Sequence, residues 1–335
     1  MKYGRAVKIS GTGMYVPPRV VTNDELAKLM DTSDEWIQQR SGIKERRYVD
    51  DDTSPTDLAE KACLAAMEKA GVTGADIDLL VVATLSPEHF FPGNSAFLQE
   101  RLGMGTAPAM DVRCQCTGFL YALNVGELFV SSGQYERVLV VGVEIHSRGV
   151  EFATRGRDVA VLFGDGAGAV LLEPATEENQ GFLSMRLHAQ GKHADKLWVD
   201  APGMAHAPTM ITNDMLEEGM QFPKMDGRFV FKNAVTRMPE VIREGLAESN
   251  VSIDDVDFFL FHQANMRINE FVGSQLKVPP EKTYNNIQKY GNCSAASIPI
   301  CLAECVDSGK IKRGDLVAMT GFGSGFTWGT ALVRF

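Results

Sequence analysis

The sequence predicts an α/β protein, on three observations. Short apolar, β-branched runs alternate with stretches of helical length. Composition is that of an ordinary globular chain, 44% hydrophobic and 23% charged over 335 residues, which excludes disorder, collagen-like repeats and a coiled-coil rod. The second half of the chain also echoes the first.

Taken in order, Val7–Gly11 reads as a strand, followed by helices over Asn23–Met30 and Ser33–Ser41. The second of these opens with Ser33-Asp34-Glu35, a cap and two acids where a helix leaves N–H groups unpaired. A helix over Pro55–Ala70 leads to the apolar strand Leu79–Thr84, and a helix over Gly93–Leu102 leads to the strand-like Ala109–Val112. Then come a helix over Thr117–Ser132 and strands Arg137–Gly142, Ala160–Phe163 and Ala169–Leu172. The polar stretch Pro174–Gly181, opened by proline and closed by glycine, divides the chain into halves 1–174 and 175–335. In the second half we expect helices at Lys232–Glu248, Ala264–Leu276 and Ser294–Ser308, and strands at Phe258–Phe261, Leu316–Thr320 and Gly329–Phe335.

Internal repetition supports that division. Cys116 opens a helix that ends at Gly133, and Asn292 opens one that ends at Gly309, both spans being 17 residues, each followed by a strand. A pseudo-twofold would set Cys116 and Asn292 at equivalent helix starts facing one cleft. Between Gly203 and Met225 lie five methionines, whose adaptable side chains suit either the wall of a lipid-sized pocket or gap-filling in an irregular insertion.

The net charge of -10 gives no global attraction to nucleic acid or anionic lipid. No apolar run approaches the ~18 residues of a membrane span, and the first residues lack the apolar core of a secretory signal. Six cysteines are too few for a disulfide scaffold and lack zinc-site spacing, so we expect free thiols, no metal and a cytoplasmic location.

Three residues can carry chemistry. Cys116 follows a strand and opens a helix, where the dipole and unpaired N–H groups favour a thiolate and can hold an oxyanion. His262 ends an apolar strand, at the edge where groups of open α/β sheets converge. Asn292 follows Tyr290-Gly291, where a helix cap is the plainer explanation. Gly321-Phe322-Gly323-Ser324-Gly325-Phe326 lacks phosphate-loop spacing and runs into a strand, which fits a tight backbone turn.

These residues belong to a longer ordered set. It comprises Gly11–Pro17, Thr32–Ile43, Cys116-Thr117-Gly118-Phe119, Phe163–Gly168, His262-Gln263-Ala264-Asn265, Tyr290–Pro299 and Gly323–Gly329. With them the chain resembles β-ketoacyl-acyl-carrier-protein synthase III of the thiolase superfamily over essentially its whole length. The resemblance implies a thiolase-like, duplicated five-layer αβαβα fold and a homodimer. It implies decarboxylative Claisen condensation of an acyl-CoA with malonyl-acyl carrier protein, without a cofactor beyond the coenzyme A thioesters. By similarity, Cys116 accepts the acyl group, and His262 and Asn292 stabilise the enolate left by decarboxylation. The backbone N–H groups of Cys116 and Ser324 would form the oxyanion hole. Thr32, Trp36, Arg40 and Arg157 would hold coenzyme A, Phe91 would close the partner's acyl pocket, and Lys232 and Arg267 would dock the carrier protein.

The sequence departs from the family at Ser324, where glycine is usual and a side chain would narrow the cleft or strain the turn. It departs also at Cys293, where threonine is common, and at Arg113-Cys114-Gln115. The alternative chemistry is non-decarboxylative condensation of two acyl thioesters, or acyl transfer to another nucleophile. Such condensation needs a base for an α-proton, and Glu88 is the acid nominated for it. The most different alternative, a non-catalytic acyl-thioester binding protein, needs none of Cys116, His262 and Asn292.

Overall fold

The structure, a computed structural model, describes residues 4–335. The first half runs β1 (Val7–Tyr15), β2 (Arg19–Thr22), α1 (Asn23–Leu26), α2 (Asp34–Ser41), β3 (Glu45–Tyr48), α3 (Pro55–Ala70), β4 (Leu79–Ala83), α4 (Asn94–Arg101), β5 (Ala109–Val112), α5 (Gly118–Ser131), β6 (Val138–Glu144), α6 (Arg157–Ala160) and β7 (Gly166–Pro174). The second runs β8 (Gly181–Ala189), β9 (Leu197–Trp198), α7 (Asn213–Glu217), β10 (Lys224–Met225), α8 (Gly227–Ser249), β11 (Phe258–Phe261), α9 (Met266–Leu276), α10 (Ile287–Tyr290), α11 (Ser297–Asp307), β12 (Leu316–Gly323) and β13 (Thr327–Arg334).

Two sheets share one topology. The first has the order β1-β7-β6-β4-β5 and the second β11-β12-β13-β8. In the first, β1–β7 and β7–β6 are antiparallel while β6–β4 and β4–β5 are parallel. In the second, β8–β13 and β13–β12 are antiparallel and β12–β11 is parallel. A single parallel bridge from Phe259 to Thr283 stands where β5 stands in the first sheet.

Side-chain alternation builds the layers, since strands buried on both faces send successive residues to opposite cores. Leu79, Val81, Val138, Val140, Val317 and Met319 face a central core containing Phe119 and Leu123 of α5 and Ile298 and Leu302 of α11. Leu80, Val82, Leu139 and Val141 face an outer core with Leu58 and Ala62 of α3 and Leu98 of α4. Leu316, Ala318, Phe259 and Phe261 face the opposite outer core with Val241 of α8 and Val272 of α9. Helices, sheet, helices, sheet, helices: the duplicated five-layer thiolase-like arrangement is present.

The repeat is offset from the spacing that reveals it. Short 3-10 turns precede both central helices, Gln115–Thr117 before α5 and Ser294–Ala296 before α11, and both begin with a non-glycine φ of 45°. Cys116 therefore corresponds to Ala295 and not to Asn292, which lies three residues earlier in its loop. The shared 17-residue span is fortuitous, because α5 has 14 residues and α11 has 11.

Other departures have local causes. Ala160–Phe163 is not a strand: it leaves α6 through a turn, and Phe163 makes only a lone bridge to Asn292. Its apolar character serves a side core in which Val161 packs with Leu26, Met30 and Ile37. The same core makes Leu26 and Met30 apolar, although helix α1 itself stops at Leu26. The antiparallel pair of β2 and β3, which are joined through α1 and α2, and the edge strand β8 have no counterpart among the strands read from the sequence, nor does the two-residue ribbon of β9 and β10.

Candidate active site

A cavity of about 780 Å³ opens between the halves, with Cys116, His262 and Asn292 all in its lining. The 3-10 turn carries Cys116, which is 8% exposed. Strand β12 ends directly over it, and a Cβ on Gly323 would lie 2.6 Å from the Cys116 Cβ, so only glycine permits this approach. The Ser294 hydroxyl donates to the sulfur at 3.5 Å, and the N–H groups of Cys116 and Ser324 also point to it.

These donors do not offset burial at the sulfur. Burial pushes the Cys116 thiol up to about 11; the Ser294 hydroxyl pulls it down, the nearby Glu144 raises it, and the two N–H groups lower it. The Cys116 thiol thus lies above its ordinary range, because burial outweighs the helix terminus that favours a thiolate.

His262 follows β11 and is 2% exposed, and burial lowers its imidazole to about 3, leaving it neutral. Its Nδ1 lies 2.5 Å from Ser297 Oγ, which donates its single proton to the Ser294 carbonyl at 2.7 Å. A carbonyl only accepts, so both contacts are satisfied when Nδ1 carries the ring proton. Nε2 then presents a lone pair and has no partner. The imidazole donor expected from the sequence arises only when Nε2 takes up a proton.

Asn292 is oriented from both sides. Its N–H donates to Leu162 at 2.8 Å, and its side-chain oxygen accepts from Ser294 N at 2.8 Å. With that oxygen engaged, the amide NH2 is the group left for a ligand. Beyond a cap, the residue is therefore a fixed donor.

The rest of the motif supports the site, with Ala264 and Asn265 also in the cavity lining. Gln263 accepts from Asn286 N and Ile287 N, tying the histidine loop to the asparagine loop. Asn265 caps α9 by accepting from Arg267 N at 3.0 Å and donates to the Arg40 carbonyl of α2 at 2.8 Å. Asp165, raised by burial, accepts from Val49 N, His146 N and the backbone and hydroxyl of Ser147. Glu144, fully buried, accepts from Ser86 Oγ at 2.6 Å and from Ala295 N at 3.4 Å, joining the two halves behind the cysteine turn.

At the mouth, Trp36 sits between two guanidinium groups, that of Arg40 4.3 Å and that of Arg157 5.2 Å from its ring centre. Ser33 caps α2 by accepting from Trp36 N, as its sequence predicts. Arg40 and Arg267 line the cavity, and so does exposed Arg228, which the sequence reading missed because an isolated arginine has no spacing signal. Thr32 does not line it; its hydroxyl is buried without a partner. Lys232 lies exposed on α8, outside the lining, and Phe91 is 82% exposed and outside this chain's cavity. Leu197, Met225, Met238 and Phe322 form an apolar wall. Of the five methionines between Gly203 and Met225, Met225 alone takes part in the lining.

Two further sequence expectations, a base at Glu88 and a strained turn at Ser324, are not met. Glu88 is no candidate base: despite burial that raises it, hydrogen bonds from Ser54 and Thr56 at the start of α3 hold its carboxyl below the usual range. Ser324 does not strain its turn; the positive φ of 132° falls on Gly325. The Ser324 hydroxyl instead donates to the Leu197 carbonyl. Among the described residues no cluster of His, Cys, Asp and Glu could hold a metal ion, and no helix is long and apolar enough to cross a membrane.

Comparison with known proteins identifies the family. The family described as 3-oxoacyl-[acyl-carrier-protein (ACP)] synthase III matches residues 110–191, and its C-terminal part matches residues 246–335. The chain is 44% identical over 328 residues to a beta-ketoacyl-[acyl-carrier-protein] synthase III from Xanthomonas campestris pv. campestris, covering 98% of both. It is 40% identical over 331 residues to one from Methylococcus capsulatus, covering 99% of both. The crystal structure of 3-oxoacyl-[acyl-carrier-protein] synthase III from Aquifex aeolicus VF5 superposes with a TM-score of 0.90 at 41% identity, over 98% of this chain and 100% of that one.

Proposed function

The chain belongs to the 3-oxoacyl-[acyl-carrier-protein] synthase III family and is a condensing acyltransferase, and we propose how its residues divide the reaction. The family reaction joins an acyl-CoA starter to malonyl-acyl carrier protein with loss of CO₂. The observation that carries the residue assignment is the convergence of Cys116, His262 and Asn292 on one cavity.

Cys116 attacks the acyl-CoA carbonyl, the sulfur–carbon bond forms, and coenzyme A leaves as a thiolate that solvent protonates. The thiol proton moves to the bare Nε2 of His262. The backbone N–H groups of Cys116 and Ser324 hold the tetrahedral oxyanion. When malonyl thioester enters, its carboxylate leaves as CO₂ and the electron pair passes into an enolate. His262, protonated at Nε2 against the pull of burial and matched by the negative charge of the enolate, and the Asn292 amide receive the enolate oxygen. The carbanion attacks acyl-Cys116, the carbon–sulfur bond breaks, and the proton returns from His262 to the sulfur. Thioesters supply the activation, so the scheme calls for no resident cofactor.

Trp36, Arg40 and Arg157 suit the base and phosphates of coenzyme A, with Thr32 beside them. Lys232 and Arg267 suit an acidic carrier protein on an otherwise acidic enzyme. Exposed Phe91 suits the acyl pocket of a second copy in a homodimer. The non-decarboxylative alternative is not favoured: the only carboxylate lining the cavity among the described residues is exposed Asp158, and Glu88 is committed to α3.

Intact-mass spectrometry after exposure to acyl-CoA tests the nucleophile. Cys116→Ser should lose the acyl adduct, and a persistent adduct would remove Cys116 from this role. His262→Ala should slow CO₂ release from malonyl thioester by about 10²–10³-fold. It should slow acylation less, because water can take the thiol proton. Equal losses would argue against the division of labour.

A further inference from the structure

Ser324 touches two parts of the cavity at once. Its N–H points to the Cys116 sulfur, while its hydroxyl donates to the Leu197 carbonyl. Leu197 belongs to the ribbon of β9 and β10, in which it pairs with Met225 and Trp198 pairs with Lys224. Both Leu197 and Met225 line the cavity that holds Cys116, together with Val230, Met238 and Phe322. Such an apolar wall suits an acyl chain, whereas the guanidinium groups of Arg40, Arg228 and Arg267 suit the charged carrier of that chain.

A ribbon with two residues per strand has little stability of its own, so its position depends on the packing of Leu197 against the outer core and on tethers. One tether is the Asp226 N–H to the Lys196 carbonyl at 2.8 Å, which closes the base of the ribbon. The Ser324 hydroxyl ties the ribbon itself to the loop above the nucleophile, while paired backbone hydrogen bonds between Gln190 and Phe326 hold the segment that leads into β9 to the same loop. A glycine at 324 would keep the N–H and lose this bond.

We propose that Ser324 is a specificity-determining residue whose hydroxyl clamps the β9–β10 ribbon against the Cys116 loop, so that the cavity wall stays in and short, unbranched acyl groups are preferred. The proposal rests on acylation at Cys116. With the clamp in place the wall cannot retreat from the acyl group; without it, Leu197 and Met225 can move outward and admit a longer or branched chain.

The test compares wild type, Ser324→Ala and Ser324→Thr in competition between a short straight acyl-CoA and longer or branched ones, read as the ratio of acyl adducts. Loss of one hydrogen bond worth ~1 kcal/mol should shift that ratio about 5-fold toward the longer chain in Ser324→Ala. Ser324→Thr, which keeps the hydroxyl, should restore the wild-type preference. Amide exchange at Leu197, Trp198, Lys224 and Met225 should quicken in Ser324→Ala and not in Ser324→Thr. An unchanged ratio, or an equal slowing with every acyl-CoA, overturns the clamp. If wild type forms no adduct with any acyl-CoA, the acyl-Cys116 reading fails instead, and the exchange comparison still decides the clamp.

Discussion

Single residues here owe their chemistry to burial. Cys116 has three donors around its sulfur and still holds its proton, because burial outweighs them. Glu144 shows the same balance: burial pushes its carboxyl up to about 7 against four hydrogen-bonding groups that favour the anion. A folded-state value raised above the ordinary 4.5 means that Glu144 contributes stability below about pH 4.5, lost as pH rises through about 7. The buried His146 and His262, each lowered by burial to about 3, act in the opposite sense. A difference measurement separates them. Glu144→Gln should gain stability relative to wild type as pH rises from about 5 to 8, read from urea midpoints. A pH-independent difference would show that Glu144 does not titrate in that window. Its position at the join of the halves means that the same variant also reports on how firmly Ala295 N is held.

At the scale of elements, the site is assembled by helix termini and loop ties. Asn265 does two such tasks, capping α9 and holding the end of α2 through the Arg40 carbonyl. Asn265→Ala should cost about 1–2 kcal/mol, as lost caps do, and should raise KM for acyl-CoA because α2 carries Trp36 and Arg40. Thermal unfolding and steady-state kinetics measure the two effects. A stability loss with unchanged KM would mean that the α2–α9 tie is structural alone. The central helices were legible because their openings carry motifs and their faces are apolar. Ribbon β9–β10 was not, since a pair of two-residue strands has no periodicity to detect. Residues 160–163 misled for the complementary reason, as an apolar run of four serves a side core as well as a sheet.

The whole molecule is two equivalent halves closed over one core. Helices α5 and α11 lie in the same central layer, so neither sheet can bury its inner face without the other half. Removing a side chain from that layer should therefore unsettle both halves together. Leu302→Ala, at a fully buried position, should cost about 2–5 kcal/mol and leave one cooperative calorimetric transition. Two separated transitions would show that the halves unfold independently.

Much of this was written in the sequence itself. The α/β class, the family and the candidate cysteine, histidine and asparagine follow from local patterns, because hydrophobic period, cap chemistry and motif order are properties of neighbouring residues, whereas the span that suggested the repeat is fortuitous. Tertiary structure alone decided which positions are equivalent, that the thiol keeps its proton, which nitrogen of His262 is bare, and that the Ser324 hydroxyl reaches Leu197. Those depend on burial and on partners distant in the chain, 127 residues away for Ser324 and Leu197 and 178 for Ser294 and Cys116, and a local pattern carries no record of either.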